Sequence, residues 1–530
     1  MVFFSLSSAL LDVFGITFLV YLVHFITTHE VHYTTTQLLL GALGVILFFI
    51  FKNAVNTYLT KLQATFAFSE AQQQSTRLFR NIFNQNELFF RNTETGQLLS
   101  DIMYIPNAFS NGIILGYITL ITELTVLILM LCFLAFTSFY VSLLVLLFVA
   151  PAAFFSYRSI KNKIELLGNQ RNVSVKQAQD TLIQSLNAHT DAIIYDKKNY
   201  FEKLFVLDQS QISAVDGSVY TLNSTPARLM ELFAVISFCL IYIYSKFFGA
   251  ENALPFNITL FAATAFRLLP SVNRSLSSML RIKNHWFAVE GLTGYMKKEI
   301  LEQPKTALHF SKNITLENIE FSFGDNTLCT IENFNLERGQ CIGIYGNTGE
   351  GKSTFLLLLM QLIPPAKGTL KLDGVTVEKS MSSSYNKLFA YIKQDVFILN
   401  ASLQENITLS PVADCDTMLL DEIIAKLELG KIKHLFTPFD SRAGEAGNNL
   451  SGGQKKLIAL ARALYFNKPI LVLDEALSSL DQDTSELVLR VLKKEHQNGK
   501  TIIIVSHQKN VFDICDRVYE FKNGTLMNQP

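Results

Sequence analysis

The sequence predicts two unlike halves, an all-α domain of six transmembrane helices over residues 1–302 and an α/β domain over residues 314–530. Three observations predict this. Six stretches approach the roughly 20 apolar residues that a helix needs to cross a bilayer core about 30 Å thick. From Ile314 the pattern changes to short apolar runs bounded by turn residues, as in a domain with buried strands. A glycine-rich loop then joins one of those runs to a helix-forming segment.

The six stretches lie near 4–26, 37–58, 111–136, 139–158, 229–248 and 256–276. A large buried helical core is the competing reading. However, Val126 to Phe136 is apolar all round, with no polar face for water. The distribution of Lys and Arg sets the expected orientation. The loop after the first stretch and the turn near Ser138 carry neither, and the fifth-to-sixth connection carries only Lys246. These are expected outside. The second-to-third connection holds Lys61, Arg77, Arg80 and Arg91, and the fourth-to-fifth holds eight basic residues between Arg158 and Lys203. Both are expected in the cytoplasm, placing the chain in an inner membrane. Rich in Gln, Glu, Leu and Ala, they read as helical extensions rather than loops.

The N-terminus has no basic n-region and no small-residue cleavage site, so the first stretch reads as a retained span. It leaves no room for a preceding cytoplasmic segment and puts Asp12 near its middle, so the natural start is expected further upstream. Residues 303–313, polar and containing Pro304, read as a linker. Forty-five basic and forty-five acidic residues cancel, which excludes retention on nucleic acid by bulk charge. The six cysteines, Cys132, Cys239, Cys329, Cys341, Cys415 and Cys515, show no C-x-x-C spacing, so neither disulfides nor structural zinc is expected.

The chemistry lies in the second half. Cys341 to Tyr345 reads as a buried strand running into Gly346, Asn347, Thr348, Gly349, Glu350, Gly351, Lys352, Ser353 and Thr354, followed by a helix. In this strand–loop–helix setting the backbone N–H groups and helix N-terminus bind phosphate oxygens. Lys352 is expected to reach the β- and γ-phosphates of ATP, and Ser353 to bind Mg2+. Ile470 to Leu473 reads as a buried strand ending in Asp474 and Glu475. Asp474 is expected to hold the metal through water, and Glu475 to polarise the attacking water as general base. Alternation of faces along a strand is the expected reason that adjacent acids take different roles. The competing reading is a pair of acids capping the next helix.

Between these motifs lies Leu450-Ser-Gly-Gly-Gln454, and here the sequence resembles the ATP-binding cassette (ABC) transporter family. The resemblance implies that Ser451, Gly452, Gly453 and Gln454 act on the ATP of an opposite subunit, in a homodimer with two shared sites. By the same resemblance Phe323 stands where an aromatic residue stacks on adenine. Gln394 matches the glutamine that senses the metal and water, and His507 the switch histidine near the γ-phosphate. Glu445 matches an acidic loop residue, and Ser478 to Asp481 a dimer-contact loop. Thr95 to Asp101 looks like a first coupling helix, and Tyr195 to Phe205 is a weaker match to a second.

The expected activity is therefore ATP-driven export or flipping, because a helical half with two long cytoplasmic connections is also the exporter layout. A soluble cassette ATPase is the alternative from another class, and the six apolar stretches disfavour it. Importers generally keep the two halves on separate chains. Arg267-Leu-Leu-Pro-Ser-Val-Asn-Arg274 resembles bacterial lipid-linked oligosaccharide flippases of the protein-glycosylation type, with drug, lipid or peptide export as alternatives. Arg267 and Arg274, seven residues apart on one helix face, are the candidate holders of an anionic headgroup. The competing reading has Arg274 at the membrane interface or paired with Glu123 or Glu231.

Overall fold

The computed structural model describes residues 6–15, 17–18, 35–247, 254–296, 307–323, 326–411, 414–431, 447, 449–478 and 480–528. The chain divides into two compact units, Met1–Gln85 with Phe89–Ile300, and Asn86–Leu88 with Leu301–Pro530.

The first unit is helical. A short apolar helix, α1 (Leu6–Gly15), is followed by α2 (Thr35–Phe83), and a small helix, α3 (Glu87–Asn92), whose first two residues count with the second unit, follows it. Then come α4 (Thr95–Thr137), α5 (Phe139–Asn187), α6 (His189–Ile194), α7 (Lys198–Phe247), α8 (Leu254–Asn284) and α9 (Trp286–Met296). Both long basic connections are mostly helix, broken only at 84–86 and 93–94 in the first and at 188 and 195–197 in the second, because their residues have high helix propensity and few breakers. Among the described residues two helices have length and composition enough to cross a membrane, Leu39–Phe83 and Thr95–Thr137, with mean hydropathy 1.8 and 2.4. Much of the first expected span and the connection between the fifth and sixth lie outside the described residues.

Ala9, Val126, Met130, Leu134, Val145 and Leu268 form one buried cluster drawing on α1, α4, α5 and α8. Leu39, Leu43, Ile46, Leu47 and Ile50 of α2 instead point out of the unit, which suits a helix whose solvent is lipid. Thr95 to Asp101 opens α4, and its Gly96 N–H donates to Asp180 Oδ1 of α5 at 2.8 Å. Tyr195 to Phe205 spans the turn after α6 and the start of α7.

The second unit has one ten-stranded sheet in the order β5-β4-β1-β2-β10-β9-β3-β8-β7-β6. The strands are β1 (Asn313–Phe323), β2 (Asn326–Glu337), β3 (Cys341–Tyr345), β4 (Lys367–Leu372), β5 (Val375–Thr376), β6 (Phe389–Ile392), β7 (Ile470–Asp474), β8 (Thr501–Val505), β9 (Arg517–Lys522) and β10 (Thr525–Asn528). Strands β6, β7, β8, β3 and β9 are parallel, while β1 pairs antiparallel with β2 and β4. Parallel strands covered on both faces need continuous apolar runs, and β7 and β8 are buried at every position. The main helices of the unit are α10 (Lys352–Leu359), α11 (Leu403–Thr408), α12 (Thr417–Lys426), α13 (Gly452–Phe466) and α14 (Gln482–Gln497), with a short one at Ser382–Asn386. The ends of β3, β7 and β8 converge on one edge, where an open α/β sheet places its ligands.

Candidate functional site

The loop from Gly346 to Gly351 links β3 to α10. Gly349 and Gly351 have φ of +87° and +108°, a left-handed backbone that glycine adopts freely and that turns successive N–H groups into one concavity. Gly346 is fixed by space instead, since a Cβ there would sit 2.3 Å from the carbonyl oxygen of Phe521 in β9. Lys352 is buried and curls back over the loop. Its Nζ donates to the carbonyls of Gly346 and Asn347 at 2.7 and 2.8 Å and lies 3.7 Å from Glu475 Oε1. Thr348 lies within the loop, and Ser353 and Thr354 fall in the first turn of α10. The Glu350 carboxylate accepts from the Asn347 N–H at 2.8 Å and from Asn347 Nδ2 at 3.0 Å. This puts a negative charge within the phosphate loop itself.

Asp474 ends β7 and is 3% exposed. Tyr391 Oη donates to its Oδ2 at 2.9 Å, while its Oδ1 is buried without a hydrogen-bond donor. Burial raises its pKa above the ordinary carboxylate value, against the hydrogen bonds from Ser353 and Tyr391. A buried carboxylate oxygen lacking a donor, with the Ser353 hydroxyl on the same group, is the hard-oxygen chemistry that Mg2+ takes, its shell completed by phosphate and water. The residues fit that ion.

Glu475 does not continue the strand. Its φ of +50° places it in the left-handed region, and its N–H donates to the Val505 carbonyl at 3.0 Å. The two acids are therefore separated by a backbone reversal at the strand end, not by the alternation of faces that the sequence suggested. The reversal brings Glu475 Oε1 within 2.7 Å of His507 Nε2. Non-glycine residues in this region cost on the order of 1–3 kcal/mol and persist where the surroundings over-determine them.

Those surroundings include a residue the sequence reading missed. Lys456 on α13 is 8% exposed, and its Nζ donates to the Glu475 carbonyl at 2.9 Å and meets Ser478 Oγ at 3.4 Å. Ser478 Oγ donates to that same carbonyl at 2.8 Å. Burial lowers the pKa of Lys456, opposed by the carboxylates of Glu475 and Asp395. A lysine two residues past the signature motif is unremarkable in sequence, and only the fold shows what it holds. Tyr391, the other missed residue, carries no motif at all.

Ser451 caps α13, its hydroxyl accepting from the Gln454 N–H at 3.2 Å while Gln454 Oε1 accepts from the Ser451 N–H at 2.9 Å. Ser451 and Gly452 are exposed, and Gly453 packs beside Leu480. Gln394 is exposed, two residues past β6, whose Ile392 pairs with Leu473 beside Asp474. Asp481 caps α14 by accepting from the Thr484 N–H at 3.2 Å. Phe323 is the last residue of β1, but its side chain, Glu445 and Ser479 lie outside the described residues.

In the helical unit neither candidate arginine is an isolated cation. Arg274 Nε lies 2.7 Å from Glu123 Oε1, the acid partner the sequence allowed, and Ser271 Oγ donates to the other oxygen at 2.6 Å. Arg267 pairs with Asp12, which also lies 2.8 Å from Lys52 Nζ and accepts from Asn56 Nδ2 at 3.1 Å. The acid that looked out of place in the first span is thus held between two cations. Arg267 Nε is buried without an acceptor.

Residues 330–478 match the ABC transporter family model. A probable ABC transporter ATP-binding/permease protein of Haemophilus influenzae is 33% identical over 217 residues, which are 40% of this chain and 38% of that one. An ATP-dependent lipid A-core flippase of Pasteurella multocida is 25% identical over 85% of this chain and 78% of its own length. The structure of a bacterial Atm1-family ABC exporter with ATP bound superposes with a TM-score of 0.82 at 18% identity, covering 99% of this chain and 92% of that one. The chain accordingly carries an ABC transporter domain in residues 330–478, and its helical half followed by that domain has the fold of an ABC exporter.

Proposed function

We propose that two copies of the chain form a magnesium-dependent flippase of the inner membrane that moves a lipid with an anionic headgroup, of the lipid-linked oligosaccharide type. The observation that carries the substrate class is the charge balance around Asp12. Among the described residues, buried Lys52 and partly exposed Arg267 share one carboxylate there, leaving one positive charge over and one guanidinium N–H without an acceptor. An uncompensated charge in a membrane domain is costly, by about 2.5–3.5 kcal/mol on insertion scales, and a headgroup phosphate relieves it. The flippase name of a relative aligned over most of this chain supports the same class. Arg274 is neutralised by Glu123 and contributes less.

In hydrolysis, Lys352 turns from the loop carbonyls to the β- and γ-phosphates; Ser353 and Asp474 would hold Mg2+, which when bound would supply charge neutralisation for the transferred phosphoryl group. Glu475 accepts a proton from the attacking water, and His507 holds its carboxylate in place. The exposed N-terminus of α13 supplies a second anion-binding end, which we assign to the partner's nucleotide. Mixing Lys352→Ala with Ser451→Arg chains then restores at most one composite site per heterodimer. Full-rate hydrolysis by a strictly monomeric preparation would overturn the shared site.

The substrate test uses proteoliposomes containing lipid-linked oligosaccharide. Arg267→Ala leaves Asp12 paired with Lys52, so the fold keeps a balanced pair while the excess charge is gone. Loss of translocation with basal ATP hydrolysis retained is the expected result. Wild-type translocation in that variant refutes the headgroup role, and no translocation by the unaltered protein points to a different substrate.

A further inference from the structure

We propose that Cys341 and Cys515 form a reversible disulfide that slows ATP turnover. Their Sγ atoms are 3.5 Å apart, with the Cys341 S–H donating to the Cys515 sulfur. The flanking backbone is already held at pairing distance: the Asp516 N–H donates to the Cys341 carbonyl at 2.8 Å, and the Cys341 N–H donates to Asp516 Oδ2 at 2.7 Å. With the two sulfurs already in contact, closing to an S–S bond of about 2.05 Å calls for side-chain rotation of the two cysteines.

The two thiols differ in access. Cys341 is fully buried at the start of β3, whereas Cys515 is half-buried after a 3-10 helix, Lys509–Ile514. The hydrogen bond to Cys515 and burial both hold the Cys341 thiol above its ordinary range. Cys515 is therefore the entry point. With a small disulfide such as oxidised glutathione as oxidant, the Cys515 thiolate attacks one sulfur and expels the first glutathione thiolate. Cys341 then attacks Cys515 Sγ, forming the internal bond and expelling the second glutathione as thiolate, which takes up the proton that Cys341 releases. Two protein thiols lose two electrons, and one glutathione disulfide is reduced to two thiols.

The bond ties together the two segments that meet at the nucleotide. Cys341 opens the strand that leads directly into the Lys352 loop, and Cys515 closes the segment that begins at His507. Phe512 of that segment already lies against β3, its ring 6.3 Å from that of Tyr345. In the thiol form the two segments are joined by the hydrogen bonds between Cys341 and Asp516, which can open and re-form, and by the contact of the two sulfurs. The disulfide removes that freedom and with it the adjustment of His507 around the phosphate.

The test uses the full-length protein in lipid nanodiscs, exposed to oxidised glutathione and digested without reductant. The expected product is one linked peptide pair containing Cys341 and Cys515, lighter by two hydrogens, with ATP hydrolysis reduced several-fold and restored by dithiothreitol. Cys515→Ser and Cys341→Ala are expected to keep their rates under the same oxidant. Recovery of the two cysteines as separate mixed disulfides overturns the proposal. So does a linked pair with unchanged hydrolysis, or an equal loss of rate in Cys515→Ser.

Discussion

Replacing Lys456 by methionine tests whether the reversed backbone at Glu475 is held from α13. Methionine keeps most of the apolar stem and fills the same space but removes the ammonium that reaches the Glu475 carbonyl at 2.9 Å and Ser478 at 3.4 Å. A hydrogen bond to a charged group contributes about 1.5–3 kcal/mol. Part of that is returned, because the variant no longer buries an ammonium, as the lowered pKa of Lys456 indicates. A net loss near 1.4 kcal/mol is a tenfold change in rate. We therefore expect kcat for ATP to fall about tenfold in Lys456→Met with little change in nucleotide affinity, since Lys456 touches the loop of the acid and not the phosphate cradle. Lys456→Gln, whose amide restores a donor at shorter reach, is expected to recover part of the rate. Steady-state hydrolysis and a fluorescent-nucleotide titration measure the two quantities. Wild-type kcat in Lys456→Met refutes the positioning role, and equal rates in the Met and Gln variants refute the hydrogen bond as its cause.

Other substitutions test the remaining parts of the site. Glu475→Gln is expected to lower kcat by about 10²–10⁴, the usual contribution of a general base, while ATP still binds; undiminished turnover removes Glu475 from that role. Glu350→Gln keeps an acceptor for the Asn347 N–H but removes a negative charge from the phosphate loop. Its KM for ATP is expected to fall about fivefold, the equivalent of ~1 kcal/mol between unit charges about 4 Å apart in water, and an unchanged KM argues that the carboxylate swings clear. Gly346→Ala forces a methyl group against the Phe521 carbonyl, which belongs to a paired strand and has nowhere to move. Loss of about 2–3 kcal/mol of stability and of ATP binding is expected, with an unaltered thermal transition as the contrary result.

What the sequence determined by itself is the set of features whose cause is local. A helix for a bilayer needs a run of apolar residues, and a phosphate loop needs glycines, a lysine and a hydroxyl at fixed spacing, so both can be read along the chain. The helical nature of the long basic connections was legible for the same reason, as helix propensity sums over a window. Pairings between distant residues were not. Asp12 and Arg267 are 255 positions apart, and no local pattern says that one carboxylate answers two cations. Glu475 was recognisable as an acid after a strand, but its left-handed backbone depends on β8 and on Lys456, which are near it only once the sheet has formed. Likewise, the scattered cysteines gave no expectation of a disulfide along the chain, and only the parallel packing of β3 beside β9 brings two of them into contact. Side-chain chemistry is written residue by residue, whereas charge balance, strain and thiol proximity are properties of the packed chain.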